Sequence, residues 1–418
     1  MRIAQFNNLY FYFFCSQLIF LPIHFYQTPL ISSSINTDKA IWMHIIGVLW
    51  SALGYFTVRL ARSSQEKISQ EEIPEGKRYY FNNIFYVCSY LFIIVGTIVN
   101  ILQVFLFASP IEYISQILSS DFDVGIRIAY LLSSDEGGLP GIIKMFTYAP
   151  LSIYLMSLGL LNFIKLDGVD TQRLKNLSRV ALGAVFIKVF FSLDRLTIMA
   201  VLLANVFLGF KKGYLKNIRY WVLIALFVLL ADYLSAKRLW GFGIFDTTLL
   251  YLKLGLVNFQ LMIQTCSGYT YGFSTILAPL YFIFKFFHLP MPHFFTKSQY
   301  VWEWNPAQYF SSYAFQDFGY FYFVLFYVVG MVLYFIDLKA LNQKNIYGSA
   351  IYFVVLYGVI SFLFVPAIRG IDFWFSLLLP LFLINFFSKH LIVRDLLNLQ
   401  IRIGDIIRKI LVRLNNIR

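Results

Sequence analysis

Residues 180–210 read VALGAVFIKVFFSLDRLTIMAVLLANVFLGF, an apolar run carrying Lys188 and broken at Ser192-Leu193-Asp194-Arg195. As one helix at 1.5 Å per residue it would reach about 46 Å, against a hydrocarbon core of roughly 30 Å. The run is too long for one membrane crossing and short for two. Folded as a hairpin, it puts Asp194 and Arg195 at the tip, slightly sunk into the membrane. A charged pair at that depth is costly unless it lines a cavity, which makes the tip a candidate functional position.

Composition sets the wider frame. The chain has 418 residues, 59% apolar and 20% aromatic, with 13% charged, where soluble domains carry about 25% charged residues. An all-α, polytopic integral membrane protein is implied. Cys15, Cys88 and Cys266 are far apart, with no CxxC or Cys/His cluster, so neither a disulfide framework nor a zinc site is indicated. A net charge of +13 in a soluble chain would suggest nucleic acid; here the distribution of charge points to topology and not to a nucleic-acid partner. The first apolar segment lacks a small-residue cleavage site and reads as a retained anchor.

Ten crossings are expected, near 9–26, 40–58, 84–107, 146–164, 180–192, 196–210, 220–234, 320–336, 347–365 and 373–387. With both termini cytoplasmic, the inner segments hold 23 of the 34 basic residues and the outer segments ten, Lys188 lying within a crossing. That is the positive-inside bias. Merging 180–210 into one crossing would carry the basic stretch 211–219 outside, so the hairpin is preferred. Outer loops are expected at 109–145 and 235–319. Within the second, 249–263 and 273–287 are apolar enough to lie in the interface or to dip in as a pair, which leaves twelve crossings open. The chain then divides into a membrane domain, 1–390, and a basic amphipathic cytoplasmic helix, 391–418, suited to an anionic leaflet.

Arginines recur where crossings meet the outer surface: Arg127, Arg195, Arg238 beside Lys237, and Arg369. Guanidinium groups bind phosphate oxygens bidentately and stay charged, so several together would seat a lipid-linked diphosphate. Each also has a plain structural role open to it: snorkelling, interfacial anchoring or, for Arg195, neutralising Asp194. The stretch 302–319 reads WEWNPAQYFSSYAFQDFG. Glu303 lies between Trp302 and Trp304, whose faces suit sugar rings or interfacial anchoring. Asp317 can cap the helix that follows, and Gly319 allows close packing. His288 and His293, in the proline-stiffened HLPMPH, are either general-base candidates or polar loop residues. Their spacing matches no zinc motif, and no metal or other cofactor is expected.

With these pieces together the chain resembles the Wzy-type O-antigen and capsule oligosaccharide repeat-unit polymerases. The likeness rests on the ten-crossing layout and the large outer loop before the last three crossings. It rests also on Gly268-Tyr269-Thr270-Tyr271-Gly272-Phe273, and on Asn305-Pro306, Tyr313 and Asp317-Phe318-Gly319 leading into a helix with Gly330. The resemblance implies a GT-C-like, metal-independent glycosyltransferase of the bacterial inner membrane. Its substrate would be an undecaprenyl-pyrophosphate-linked oligosaccharide, and its partners membrane lipid and a chain-length regulator. Arg195, Arg238 and Arg369 would hold the pyrophosphate, with Arg127, Lys237, Asn305, Tyr313, Trp302 and Trp304 also toward substrate. Glu303 and His293, ahead of His288 and Asp317, would supply the base. The family's Arg-x10-Gly signature is absent: Val206 and Leu249 stand where its glycine would follow Arg195 and Arg238.

Three rival functions fit parts of the sequence. A glycan ligase shares the donor chemistry. A flippase or transporter calls for repeated halves and polar residues at mid-membrane depth, where the sequence offers essentially Lys188. A metal-dependent lipid-phosphate-sugar transferase calls for an acidic pair in the first outer loop, where Asp38 stands alone.

Overall fold

The computed structural model describes residues 8–18, 20–23, 35–66, 79–106, 109, 111, 113–115, 141–192, 194–213, 217–238, 243–266, 268–280, 284, 309–342, 345–363 and 370–389. Among them, helices of nine residues or more are α1 (Leu9–Leu18), α2 (Asp38–Glu66), α3 (Asn83–Phe105), α4 (Ala149–Phe163), α5 (Gly168–Ser192) and α6 (Arg195–Lys212). They continue as α7 (Ile218–Arg238), α8 (Ile244–Thr265), α9 (Phe310–Phe318), α10 (Phe323–Asp337), α11 (Ile346–Ile360) and α12 (Ile371–Phe387). Four are long and apolar enough to cross a membrane: Asp38–Arg62, Asn83–Phe105, Met145–Phe163 and Phe323–Leu341; Ile346–Ile360 and Phe373–Phe387 are shorter and equally apolar. The protein is a helical membrane protein. The expected tail helix 391–418 lies outside the described residues.

The hairpin expected at 180–210 is present as α5 and α6, broken between Ser192 and Arg195. Asp194 makes the break: extended at the N-cap, it accepts from the amides of Leu196 and Thr197 at 3.0 and 3.3 Å and so starts α6. Gly213, in the left-handed region at φ 71°, ends it. Asn82 caps α3 and Asn345 caps α11 in the same manner. α5 begins at Gly168, well before the apolar run, because Asp170 in its first turn is held by the Phe81 amide at 3.1 Å and the Tyr86 hydroxyl at 2.9 Å.

Chain ends sort onto two faces. On one, the Tyr79 amide meets the Lys165 carbonyl at 3.1 Å, and Tyr80-Phe81 pairs antiparallel with Ser388-Lys389, a two-residue ladder. Asp170 and the end of α12 therefore share that face with the start of α3. On the other, the Lys39 ammonium reaches the Tyr320 hydroxyl at 3.1 Å, and the Tyr322 hydroxyl donates to the Met43 carbonyl. α8 stays on this second face. It starts at Gly243, whose missing Cβ would sit 2.7 Å from the Asp232 carboxylate near the end of α7, and its Gln260 accepts from the Ala40 amide at 3.0 Å.

Without a hydrophobic drive between helices in lipid, close backbone approach and hydrogen bonds hold them together. α2 and α10 meet through Gly54 and Gly330: a Cβ on either would lie 2.1 Å from the Tyr327 carbonyl or 1.9 Å from that of Ser51. In α12, Pro380 removes the amide that would have paired with the Ser376 carbonyl; the Ser152 hydroxyl of α4 donates to that carbonyl at 2.9 Å instead. At the first face the Asp337 carboxylate, ending α10, accepts from the Leu9 amide at 2.9 Å and the Tyr352 hydroxyl at 3.0 Å. It thus caps α1 from another helix.

Candidate functional site

α9 carries the site on the Lys39 face. Its first ring, Phe310, is packed between Phe326 of α10 at 5.2 Å and Phe362 at 4.2 Å, and the helix then climbs toward Gly319. Tyr309, Phe310 and Tyr313 are all buried. Ser311 hydrogen-bonds the His44 imidazole of α2, whose ring lies 5.2 Å from that of Tyr309, and the Tyr309 hydroxyl donates to the Leu252 carbonyl at 2.8 Å. α9 is therefore wedged among α2, α8 and α10, with Ser311 paired to α2 and the preceding Tyr309 to α8.

At its far end sits Asp317, fully buried. It does not cap α10. Its carboxylate instead accepts from the Thr270 hydroxyl, the Ser274 amide at 2.7 Å and the Thr275 hydroxyl, while its backbone carbonyl accepts from Tyr271 at 3.1 Å. One side chain thus ties the turn 268–276 to the end of α9. The turn closes with Tyr271 at φ 50° and Gly272 at φ 95°, and Tyr271 is 76% exposed. A non-glycine residue in the left-handed region is uncommon and is held only where surroundings fix it; here the Asp317 carboxylate fixes it. Gly319, at φ 55° and ψ −133°, admits no side chain: a Cβ would fall 2.5 Å from the Tyr269 ring. Residues 273–280 form turns and a short 3-10 segment rather than the apolar arm expected over 273–287; 281–283 and 285–287 lie outside the described residues.

A second polar centre lies at the α5–α6 tip. Lys188, 4% exposed, pairs with Asp194 at 3.4 Å, and its ammonium stands 3.4 Å from the centre of the Tyr148 ring. The lysine of the crossing is thus an ion-pair partner of Asp194. The Thr197 hydroxyl adds a bond to Asp194 at 2.7 Å, and the Tyr113 hydroxyl donates to the Phe191 carbonyl. The turn 145–148 brings Phe146 within 5.5 Å of Phe375, so the start of α12 packs beside the same turn.

Arg195 opens α6 and Arg238 closes α7, antiparallel neighbours, so their backbones share the Lys39 face; their side chains, and that of Lys237, lie outside the described residues. So do Arg127, His288, His293, Trp302, Glu303, Trp304, Asn305 and Arg369. Of the expected site residues, α9 brings together Tyr313 and Asp317, and Asp317 joins the turn 268–276 to them. Sequence reasoning passed over His44 and Asp337. A lone histidine inside the apolar run 40–58 was the available signal for the first; Asp337 lies one residue past the expected crossing. Both are buried, Asp337 toward the first face and His44 within two turns of Lys39 on the other. Among the described residues no three His, Cys, Asp or Glu side chains gather as a metal site. No family model, no curated protein and no solved structure matches the chain.

Proposed function

We propose that this protein is an oligosaccharide repeat-unit polymerase: a ten-crossing, GT-C-like glycosyltransferase of the bacterial inner membrane. It moves a growing glycan from undecaprenyl pyrophosphate onto the sugar of a new lipid-linked repeat unit at the outer face. The observation that carries the reading is the Asp317 clamp. Two motif pieces on which the family resemblance rests, 268–273 and 317–319, lie more than forty residues apart in sequence and meet through one carboxylate.

The chemistry asks little beyond positioning and charge. The donor's anomeric carbon is already activated by its diphosphate, so the protein must hold that group and stabilise its developing negative charge. Arg195, Arg238 and Arg369 take that role in this reading, with Arg127 and Lys237 near them. Glu303 or His293, ahead of His288, accepts the proton of the acceptor hydroxyl. Asp317, saturated by three donors, is a positioning residue, and its place among the base candidates falls. Trp302, Trp304 and Asn305 line the glycan path in this reading, while Tyr313, buried in α9, packs behind it, and a chain-length regulator sets product size.

A ligase remains the nearest alternative. Deleting the gene separates them: loss of a polymerase leaves single repeats attached to the acceptor, loss of a ligase leaves none. Restoring the deletion strain with Arg195→Ala should insert normally and give single repeats; long chains would remove Arg195 from the site. The buried Lys188, within a crossing, is the observation that favours a transporter. Transport of lipid-linked repeats into vesicles without chain growth would establish that rival.

A further inference from the structure

The turn 268–276 carries a tyrosine where its backbone suits something smaller. The Phe273 amide donates to the Thr270 carbonyl at 3.1 Å, closing a four-residue turn whose central residues, Tyr271 and Gly272, have φ of 50° and 95°. Positive φ at both centres is the pattern of a type I′ turn, which glycine, asparagine and aspartate fill readily and an aromatic residue does not. The tyrosine is nonetheless held firmly. Thr270 and Tyr271 donate their amides to the Gln316 and Asp317 carbonyls at 3.0 and 3.1 Å. The Asp317 carboxylate grips Thr270 on one side of it and Ser274 and Thr275 on the other. The side chain so placed is 76% exposed, and among the described residues it makes no hydrogen bond or ring contact. Tyr269, 44% exposed, lies against the Gly319 backbone. Tyr320, next after that glycine, is exposed with its hydroxyl accepting from Lys39.

We propose that Tyr271, flanked by Tyr269, is a sugar-stacking platform on the Lys39 face, and that its ligand is a neutral stretch of glycan. Backbone strain kept for a side chain that packs against nothing in its own chain points to a ligand outside it. An interfacial belt tyrosine serves equally well from a relaxed turn. A platform instead needs its ring fixed in advance, which spares the ordering cost on binding. The phenol offers an apolar face to the C–H face of a pyranose and a hydroxyl to its polar edge. Residues 268–276 contain no charged side chain, which favours a neutral sugar over a phosphate. The assignment rests on the polymerase reading for the source of the glycan. It makes Tyr271 a binding residue and leaves the reacting atoms to others.

Tyr271→Asn removes the ring and relieves the turn, while Tyr271→Phe keeps the ring. Purified full-length variants are compared by thermal midpoint, by saturation-transfer NMR with maltohexaose and chitohexaose, and by KM for a synthetic lipid-linked repeat unit. The asparagine variant should melt higher than wild type, because strain is relieved and no contact is lost. It should also lose the saturation transfer that wild type shows, or raise KM about tenfold or more, with kcat little changed. The phenylalanine variant should keep most of both. An asparagine variant with oligosaccharide signals and KM both at wild-type values overturns the platform. Saturation transfer absent from wild type together with an unchanged KM does the same. A spin label on Tyr271→Cys in a cysteine-free background, in liposomes, tests the lipid-anchor rival. Relaxation by an aqueous nickel chelate agrees with the platform; protection from the chelate with strong relaxation by lipid-dissolved oxygen overturns it. Oligosaccharide signals lost on substitution in a protein that extends no chain would keep the platform and refute the polymerase. Chain growth that ignores the substitution would do the reverse.

Discussion

Asp317 gathers three donors in a fully buried position, and hydrogen bonds to a charged group each contribute about 1.5–3 kcal/mol. Asp317→Ala should therefore cost several kcal/mol locally, release the turn 268–276 and lower the thermal midpoint. Asp317→Asn keeps one acceptor and one donor in nearly the same shape. A positioning carboxylate predicts that the asparagine variant retains part of its chain growth with a midpoint between wild type and alanine. A proton-accepting carboxylate predicts none at a normal midpoint, and paired activity and melting measurements separate the two. Asp337 makes a parallel case: Asp337→Ala leaves the Leu9 amide and Tyr352 hydroxyl without their acceptor. Protease digestion should then cut near α1 at least several times faster than in wild type, and Asp337→Asn, which keeps an oxygen acceptor, should behave nearly as wild type. Neither clamp was legible in the sequence, because each joins groups 15 to 328 positions apart and leaves no local spacing to read.

Elements were more legible than contacts. The apolar lengths of 84–107, 146–164 and 347–365 anticipated α3, α4 and α11 closely, since a helix that must span lipid is set by composition and length. The α5–α6 hairpin was legible for the same reason, and Asp194 supplies its N-cap through local hydrogen bonds that a sequence can display. α9 was not: nine residues starting among buried rings and ending in a glycine-only conformation follow no amphipathic length rule, and its packing partners lie on α2, α8 and α10. The proline of α12 offers a test at this scale. Ser152→Ala should destabilise by about 1 kcal/mol by leaving the Ser376 carbonyl unpaired. In a Pro380→Ala background, where the helix regains its own amide donor, most of that cost should vanish. A double-mutant cycle of unfolding in detergent measures the coupling; equal costs in both backgrounds would show that the serine does not serve the proline. Gly330→Leu, which drives a side chain into the Ser51 carbonyl, should separate α2 from α10 and abolish folded yield, read by size-exclusion profile.

Across the whole molecule, the two faces identified by backbone pairings coincide with the sides assigned from charge. Lys165 and Lys389 belong to the basic side, and Lys39 to the side of the clamp. Single cysteines at Lys39 and Lys389 in a cysteine-free background should label from opposite sides of sealed vesicles with a membrane-impermeant maleimide; labelling from the same side would overturn the ten-crossing arrangement. What composition could not convey is how the turn 268–276 is tied to α9, since that depends on pairings such as Asp317 with Thr270 and not on hydropathy. The proposed glycan elongation is open to direct test. Purified protein in liposomes, given synthetic undecaprenyl-pyrophosphate-linked repeat units without added divalent metal, should yield a ladder of products spaced by one repeat, and Arg195→Ala should yield none. Wild-type protein that leaves the repeat units unjoined while carrying them across the bilayer would contradict it.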